Sequence, residues 1–421
     1  MFDLKIAAEK TKAASKVLAG LSDEKINRTL IDVAKALRTE KNALKTANAI
    51  DVKNAENKGI SAAFIDRLTL SDKVIESVAK GIEEVAALDS PRGKILYEYR
   101  NEKQAIDITE IAVPFGVIGI IYESRPNVTA DAFALCFKTG NAVMLKGGSD
   151  AINSNMAMVK VIRNTLRACG VDENAVTLVE DTSRETAHEF MRLKGYIDLL
   201  IPRGGGGLID WALENATVPV IETGKGNCHV YVDEFADKEK AVKVIENAKT
   251  QRYGVCNACE SLLIHSAVLA DFLPDIVKPL DDKGVEIRCD ETSYELLKGK
   301  GLKRLTRATE KDFYTEYDDA VISVKTVGSV EEAVECVNEY GTHHSDSIIT
   351  ENGANAEKFL NGVDSACVYL NASTRFSDGF VFGLGAEIGI STQKPHARGP
   401  MGLGALVTTK YVVKGNGAVR I

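Results

Sequence analysis

The residues best suited to carry out chemistry are a carboxylate and a thiol within one stretch, residues 222–260. Glu222 follows the apolar run 218–221 and opens E-T-G-K-G-N-C-H, while Cys256 stands in Q-R-Y-G-V-C-N-A-C-E. A cysteine attacks carbon as a thiolate, which requires a cationic or dipolar environment. Arg252 lies four residues before Cys256, and we expect the segment after Cys256 to cap a helix whose N-terminal dipole favours the thiolate. These residues fit a nucleophile and a buried core thiol about equally.

The C-x-x-C spacing of Cys256 and Cys259 also invites a metal or redox interpretation. Zinc needs two further ligands at comparable spacing, and the sequence has no second C-x-x-C and no H-x-x-x-H, so we expect no metal. A thioredoxin-like motif belongs to a much smaller fold. The eight cysteines, from Cys136 to Cys367, are typical of reduced thiols in a cytoplasmic protein.

Composition bounds the function classes. A chain of 421 residues with 45% hydrophobic and 27% charged residues predicts a globular protein of two or three domains. A net charge of −8 without a basic stripe argues against a nucleic-acid partner. The N-terminus lacks the apolar core of a signal peptide, and no apolar run is long enough to span a bilayer, so we expect no membrane partner.

The first half of the chain changes texture twice. Residues 2–90 carry apolar positions at helical spacing, and 95–113 alternate like an exposed two-stranded ribbon. Beyond residue 115, buried strands alternate with amphipathic helices, which predicts a parallel sheet with helices on both faces. The predicted strands are 117–122, 142–145, 176–179, 196–201 and 218–221, and the predicted helices include 151–168 and 186–193.

A second α/β pattern begins near residue 229 and predicts a second domain. Its predicted strands are 229–232, 262–265, 321–327 and 347–350, with helices at 241–249 and 330–340. A strand-like tail, 406–413, is expected to pair with the early ribbon or with a neighbouring chain. The first strand leads into no Gly-x-Gly-x-x-Gly, but Gly204–Gly207 open a helical stretch and fit either a phosphate-binding turn or a flexible loop.

Three blocks carry a resemblance to a known family: P-F-G-V-I-G-I-I-Y-E-S-R-P-N-V-T at 114–129, the Glu222 and Cys256 segments, and Q-K-P-H-A-R-G-P-M-G-L at 393–403. Together they resemble the gamma-glutamyl phosphate reductases, a family of the aldehyde dehydrogenase superfamily, over essentially the whole chain. The resemblance implies an α/β aldehyde dehydrogenase-like fold. Its parts would be a Rossmann-type NADP-binding domain (1–94 and 114–227), an α/β catalytic domain (228–376) and a small β oligomerisation element (95–113 and 377–421). A homo-oligomer, dimer or tetramer, is implied.

The resemblance also implies an activity in proline biosynthesis. Cys256 would attack L-glutamyl 5-phosphate to give a thioester, which NADPH reduces to L-glutamate 5-semialdehyde. Asn127 falls on the superfamily's oxyanion-binding amide, although capping of a helix starting near Val128 fits as well. Glu222 is expected on the cofactor side or in a structural role. The stand-alone reductase form is implied, with glutamate 5-kinase as a functional partner. The alternatives are a CoA-acylating or hydrolytic aldehyde dehydrogenase and a catalytically silent structural relative.

The cofactor residues follow from the same resemblance. Lys146 would reach the adenine ribose, and Ser149 stands where NAD-using relatives often carry a glutamate, so NADP is expected. Arg203, with Gly204 and Gly205, would add to the phosphate site, or be a solvated charge. Glu316 matches the glutamate that holds the nicotinamide ribose.

The substrate is anionic and calls for cationic and hydrogen-bonding partners. The candidates are Arg125, Arg252, His396 and Arg398, in the segments most specific to the family, and each fits a surface charge equally well. His343 and His344 are expected to face solvent or to support the site from behind.

Overall fold

The computed structural model describes residues 2–123 and 125–420, so Ser124 of the block 114–129 lies outside the described residues. The chain divides into two compact units. Unit 1 comprises Met1–Glu222, Leu384–Gly389 and Met401–Ile421, and unit 2 comprises Thr223–Gly383 and Ile390–Pro400. The three-part division expected from the sequence stays a prediction.

Helices and strands alternate through most of the chain. The helices are α1 (Leu4–Leu18), α2 (Asp23–Thr39), α3 (Lys41–Asn57), α4 (Ala62–Leu68), α5 (Asp72–Ala87), α6 (Asn127–Lys138), α7 (Ile152–Ala168), α8 (Arg184–Phe190), α9 (Gly206–Asn215), α10 (Lys238–Thr250), α11 (Ser266–Asp282), α12 (Glu291–Leu297), α13 (Glu310–Phe313), α14 (Val330–Tyr340) and α15 (Gly353–Gly362). In the part of the chain that is described, none of these helices is long and apolar enough to cross a membrane.

The strands follow the same order. They are β1 (Ile95–Asn101), β2 (Ile106–Pro114), β3 (Val117–Tyr122), β4 (Ala142–Gly147), β5 (Val176–Leu178), β6 (Leu199–Arg203), β7 (Cys228–Val232), β8 (Cys259–His265), β9 (Glu286–Cys289), β10 (Leu305–Arg307), β11 (Val321–Val327), β12 (Ser345–Ile349), β13 (Cys367–Leu370), β14 (Ile390–Ser391), β15 (Gly399–Pro400) and β16 (Val407–Gly415).

Unit 1 contains a parallel sheet in the order β5-β4-β3-β6. Its central strands β3 and β4 are buried along their whole length, which explains why they appear in the sequence as continuous apolar runs. The predicted N-terminal helices are confirmed as α1–α5, and Asp3, Ser22 and Ser71 cap three of them by accepting backbone N–H groups.

The predicted ribbon is also confirmed in unit 1. Strand β1 pairs antiparallel with β2, and the tail strand β16 pairs antiparallel with the other edge of β2. Large apolar side chains stay exposed on this sheet, including Tyr97, Tyr99, Tyr411 and Val413. The tail therefore pairs with the ribbon of its own chain, which was one of its two expected partners.

Unit 2 contains a parallel sheet in the order β10-β9-β11-β8-β7-β12-β13. Successive residues of β7 face opposite sides: Val230 and Val232 pack in the core with α10 and α11, while Tyr231 packs in the core with α14 and α15. The period-2 alternation of side chains thus supplies two apolar faces, each covered by helices. The second α/β pattern expected from the sequence is confirmed.

One predicted strand is wrong, and five strands of the described residues were not predicted from the sequence. Residues 218–221 form only an isolated bridge between Val220 and Leu200, because Pro219 lacks an N–H and the Val218 N–H donates to the Met191 carbonyl. Strands β9, β10 and β13 are only three or four residues long and β14 and β15 only two, which is too short to identify a strand by its period.

A fully buried ion pair links α10 to β8. The Lys249 Nζ lies 2.6 Å from the Glu260 Oε2, and both side chains are 0% exposed. Burial raises the pKa of Glu260, and the charge of Lys249 opposes that rise. Removing one partner of such a pair leaves an uncompensated buried charge.

Replacing Lys249 with Met should lower the free energy of unfolding by about 3–5 kcal/mol at pH 8. The loss should be smaller at pH 6, because a carboxyl with a raised pKa costs least when it is protonated. Urea unfolding at both pH values measures this. Lys238→Met, which breaks surface pairs with Asp271 and Asp275, is the control and should cost less than about 1 kcal/mol. Equal losses in the two variants would contradict the prediction.

Candidate active site

Cys256 lies in the turn between α10 and β8 and is half-buried. The element that follows it is β8, so the expected helix after Cys256 is wrong and lends the thiol no dipole. Cys259 is the first residue of β8 and lies in the core of unit 2, where burial raises its pKa to about 12. The C-x-x-C pair is therefore split into one accessible thiol and one core thiol.

The turn before β7 packs directly on the backbone of Cys256. A Cβ added to Gly226 would lie 1.4 Å from the Cys256 carbonyl oxygen, so a side chain at this position does not fit. The Gly226 N–H donates to the Glu316 Oε1 at 2.7 Å. Gly226 thus contacts the Cys256 turn on one side and the Glu316 carboxylate on the other.

Glu316 is the residue expected to hold the nicotinamide ribose. Its burial raises its pKa, while the hydrogen bond from Gly226 opposes the rise. One carboxylate oxygen is thus engaged by the backbone of the turn that contacts Cys256. Its role toward a cofactor stays a prediction.

A buried polar cluster supports the same turn from below. The Cys228 Sγ donates to the Cys256 carbonyl oxygen at 3.2 Å and lies 3.8 Å from the His344 Nδ1, which contacts the Ser345 Oγ at 2.8 Å. Burial lowers the pKa of His344 to about 4, so its imidazole is neutral at physiological pH. The solvent-facing alternative for His344 is wrong, because this residue, immediately before β12, is fully buried.

Sequence reasoning missed two residues beside Cys256. Asn257 donates from Nδ2 to the Ser377 carbonyl at 2.9 Å, and its own carbonyl accepts from the Thr374 Oγ1 at 2.7 Å. These contacts bring the short 3₁₀ helix Thr374–Phe376, with Arg375, to the residue that follows Cys256. Nothing local in the sequence signals this approach.

The four predicted substrate contacts differ in their surroundings. Arg125 and Arg252 are exposed, and His396 is exposed with a left-handed φ of 62°. Arg398 donates from Nη2 to the Asp364 carboxylate and to its carbonyl, both at 2.9 Å. Their contact with a substrate stays a prediction.

Unit 1 carries the other predicted site residues. Asn127 is the first residue of α6, and its Nδ2 donates to the Asp131 Oδ2 at 3.1 Å instead of capping the helix, so the capping alternative is wrong. Burial raises the pKa of Asp131 to about 6. Glu222 is half-buried and ends the first segment of unit 1.

Three of the predicted cofactor residues lie at or near the carboxyl ends of strands in unit 1. Lys146, near the end of β4, is 3% exposed, its Nζ lies 3.4 Å from the Gly147 carbonyl, and burial lowers its pKa. Ser149 is exposed two residues after β4, and Arg203 ends β6.

An acid occupies the predicted phosphate-binding turn. The Gly205 N–H, at the N-terminus of α9, donates to the Glu123 Oε2 at 3.1 Å, and Gly204 packs against the same carboxylate. This helix end therefore interacts with negative charge, as a phosphate site requires, although here the charge belongs to the protein. Phosphate binding by Gly204 and Gly205 stays a prediction.

Replacing Gly226 with Ala should displace the Cys256 turn, because the new Cβ overlaps the Cys256 carbonyl. We expect alkylation of Cys256 by iodoacetamide, followed by mass spectrometry, to slow by about 10-fold. This corresponds to an increase of about 1.4 kcal/mol in the activation free energy of the reaction. Gly353→Ala, in the same unit with no atom within 4 Å of the added Cβ, should react like the unsubstituted protein. An unchanged rate in the Gly226 variant would show that the turn tolerates the contact.

The family model of the aldehyde dehydrogenase family matches residues 2–292. The chain is 53% identical to the gamma-glutamyl phosphate reductase of Caldicellulosiruptor saccharolyticus over 420 residues, covering 100% of both chains. It is also 53% identical to that of Lachnospira eligens over 411 residues, covering 98% of both. The crystal structure of the gamma-glutamyl phosphate reductase from Thermotoga maritima matches with a TM-score of 0.97 and 47% identity over 100% of both chains.

A more distant match shows the fold alone: an acetylating aldehyde dehydrogenase from Geobacillus thermoglucosidasius has a TM-score of 0.69 at 18% identity, covering 99% of this chain and 97% of that one. The family model spans more than half of the chain, and the nearer relatives match it from end to end. The chain therefore belongs to the aldehyde dehydrogenase family, among the gamma-glutamyl phosphate reductases.

Proposed function

We propose that the protein reduces L-glutamyl 5-phosphate to L-glutamate 5-semialdehyde and phosphate with NADPH, as a step of proline biosynthesis. The observation that carries the proposal is end-to-end similarity to proteins named for this reaction, combined with a half-buried thiol at Cys256. A thiol nucleophile converts an acyl phosphate into a thioester with loss of phosphate, and a thioester accepts hydride more readily than a carboxylate does. The product aldehyde leaves when the sulfur–carbon bond breaks.

The chain's own residues fix the nucleophile in this scheme. Gly226 and Cys228 contact the Cys256 carbonyl and hold the backbone from which the thiol projects. Cys259, a core residue, keeps its proton and does not compete as a nucleophile. A fixed thiol in a partly dry site favours attack by sulfur over attack by water.

Asn127 keeps its proposed role as the oxyanion-binding amide, which rests on the family resemblance. Its Nδ2 carries two N–H groups, and the hydrogen bond to Asp131 uses one of them. This contact fixes which side of the amide presents nitrogen. Glu222 and Glu316 are proposed to act on the cofactor side.

Unit 1 fits a phosphate-bearing nicotinamide cofactor. The ammonium of Lys146 is almost fully buried beside a glycine-containing turn, and burial makes its charge costly unless an anion offsets it. Ser149 occupies the position after β4 that NAD-using relatives often fill with glutamate, so no carboxylate stands at that position. Arg203, at the end of β6, adds a positive charge. When bound, NADPH supplies the hydride for the reduction. We therefore propose NADP over NAD.

We further propose a homo-oligomer assembled through the ribbon sheet of unit 1. Ile95, Leu96, Tyr97 and Tyr99 of β1 are each about half exposed, and Tyr411 and Val413 of β16 are exposed to a similar degree. Apolar surface of this density along edge strands is costly in water and is typical of a surface that a second copy covers. A cytoplasmic location and glutamate 5-kinase as the functional partner that supplies the acyl phosphate complete the proposal.

Replacing Cys256 with Ala should abolish phosphate-dependent NADP reduction in the presence of glutamate 5-semialdehyde, a loss of at least about 10³-fold. Cys169→Ala removes another half-buried thiol and should keep full activity. Intact mass spectrometry with the acyl phosphate should detect an acyl adduct only when Cys256 is present. Full activity of the Cys256 variant would overturn the proposed nucleophile, and turnover that requires coenzyme A in place of phosphate would favour a CoA-acylating enzyme.

Replacing Ser149 with Glu should raise the KM for NADP by about 10-fold or more while leaving that for NAD nearly unchanged. A carboxylate repels the 2′-phosphate of NADP and accepts hydrogen bonds from the ribose hydroxyls of NAD. Steady-state kinetics with both cofactors measures the ratio. Ser149→Gln, of similar size without charge, separates repulsion from crowding, and an unchanged ratio in both variants would place the 2′-phosphate elsewhere.

A further inference from the structure

Arg375 is a cation at the nucleophile that the sequence analysis did not identify. The 3₁₀ helix Thr374–Phe376 is attached to Asn257, the residue after Cys256, by the Thr374 Oγ1 at 2.7 Å and by Asn257 Nδ2 contacts to the Ser377 and Arg375 carbonyls at 2.9 and 3.4 Å. The backbone of Arg375 is thus fixed on the nucleophile turn.

The guanidinium itself is oriented from the other side. Its Nε donates to the Gln251 Oε1 at 2.9 Å, and Gln251 is the residue that follows α10. The side chain is half-buried, so its charge is screened less than that of the exposed Arg252. Burial lowers the pKa of Arg375, and a thiolate at Cys256 would oppose that effect. Arg375 is thus held between Gln251, which precedes Cys256 in the same turn, and Asn257, which follows it.

The other titratable groups described around the turn are neutral, negative, or positive but exposed to solvent. His344 and Cys228 are neutral, because burial lowers the pKa of the imidazole and raises that of the thiol. Charged groups described near Arg375 and Glu316 include Arg252, Lys225 and Asp378, in addition to Glu316 itself. Arg252 and Lys225 are exposed, and the two carboxylates disfavour a thiolate. An arginine keeps its proton in proteins, so the charge of Arg375 is permanent.

We propose that Arg375 stabilises the thiolate form of Cys256 and so prepares it for attack. Ionisation of the Cys256 thiol releases its proton to water, and the guanidinium offsets the charge left on sulfur. The step consumes no oxidant or reductant. The proposal rests on the assignment of Cys256 as the nucleophile under the proposed function, and it assigns to Arg375 a role that no local motif predicts.

The test is the pH dependence of Cys256 alkylation by iodoacetamide in the full chain, followed by peptide mass spectrometry. Arg375→Gln should shift the midpoint of the profile upward by about one pH unit, which makes alkylation at pH 7 about 10-fold slower. Arg375→Lys, which keeps the charge on a different frame, should shift it less. The cavity of about 860 Å³ that Arg375 lines also contains Lys243, so Lys243→Gln is the matched control and should leave the profile unchanged.

Coincident profiles for Arg375→Gln and the unsubstituted protein would overturn the proposal, as would an equal shift in Lys243→Gln, which would indicate a general field. If Arg375→Gln does not fold, Gln251→Ala frees the guanidinium from its anchor and should give a smaller shift in the same direction, and no shift would overturn the proposal. Alkylation needs no substrate. A shifted profile in a protein that does not reduce glutamyl phosphate would therefore refute the proposed function alone.

Discussion

The arrangement of the site depends on one steric constraint, the contact between the Gly226 backbone and the Cys256 carbonyl. There is no room there for a Cβ, so the two turns touch through main-chain atoms. Main-chain contact fixes the position of the Cys256 backbone more closely than side-chain packing does, because neither partner has rotamers to change. Glu316 and Cys228 then hold the two turns by hydrogen bonds to Gly226 and Cys256.

The contact is a consequence of the parallel sheet in unit 2. Strands β7 and β8 are neighbours, and Cys228 pairs with Cys259, so both strands begin at the same level. Parallel strands lie about 4.8 Å apart, which forces the residues just before them into contact. Gly226 and Cys256 occupy those positions. Cys256 therefore lies at the amino ends of two paired strands, and the register of the sheet sets its distance from the turn before β7.

Sequence reasoning reached most of the regular structure because its signals are local. Helical spacing gave α1–α5, and short apolar runs gave β3 and β7, whose residues are buried by neighbours on both faces. Strands β9, β10 and β13 were too short to identify by their period, and Pro219 removed a hydrogen bond that a strand at 218–221 needed. Cys256 came from the family resemblance, since its own neighbours fit a core thiol equally well.

The supporting groups escaped for a different reason, because non-local pairing places them. Arg375 follows β13, and in the sheet β12 and β7 lie between β13 and β8, the strand that follows Cys256. His344 immediately precedes β12 and is buried. Burial affects the charge of these two basic side chains differently. An imidazole loses its proton when it is desolvated, whereas a guanidinium keeps its charge, so the same interior that neutralises His344 leaves Arg375 positive. A search for a histidine as the basic partner of Cys256 would therefore find a neutral ring, whereas an arginine attached to that turn remains charged.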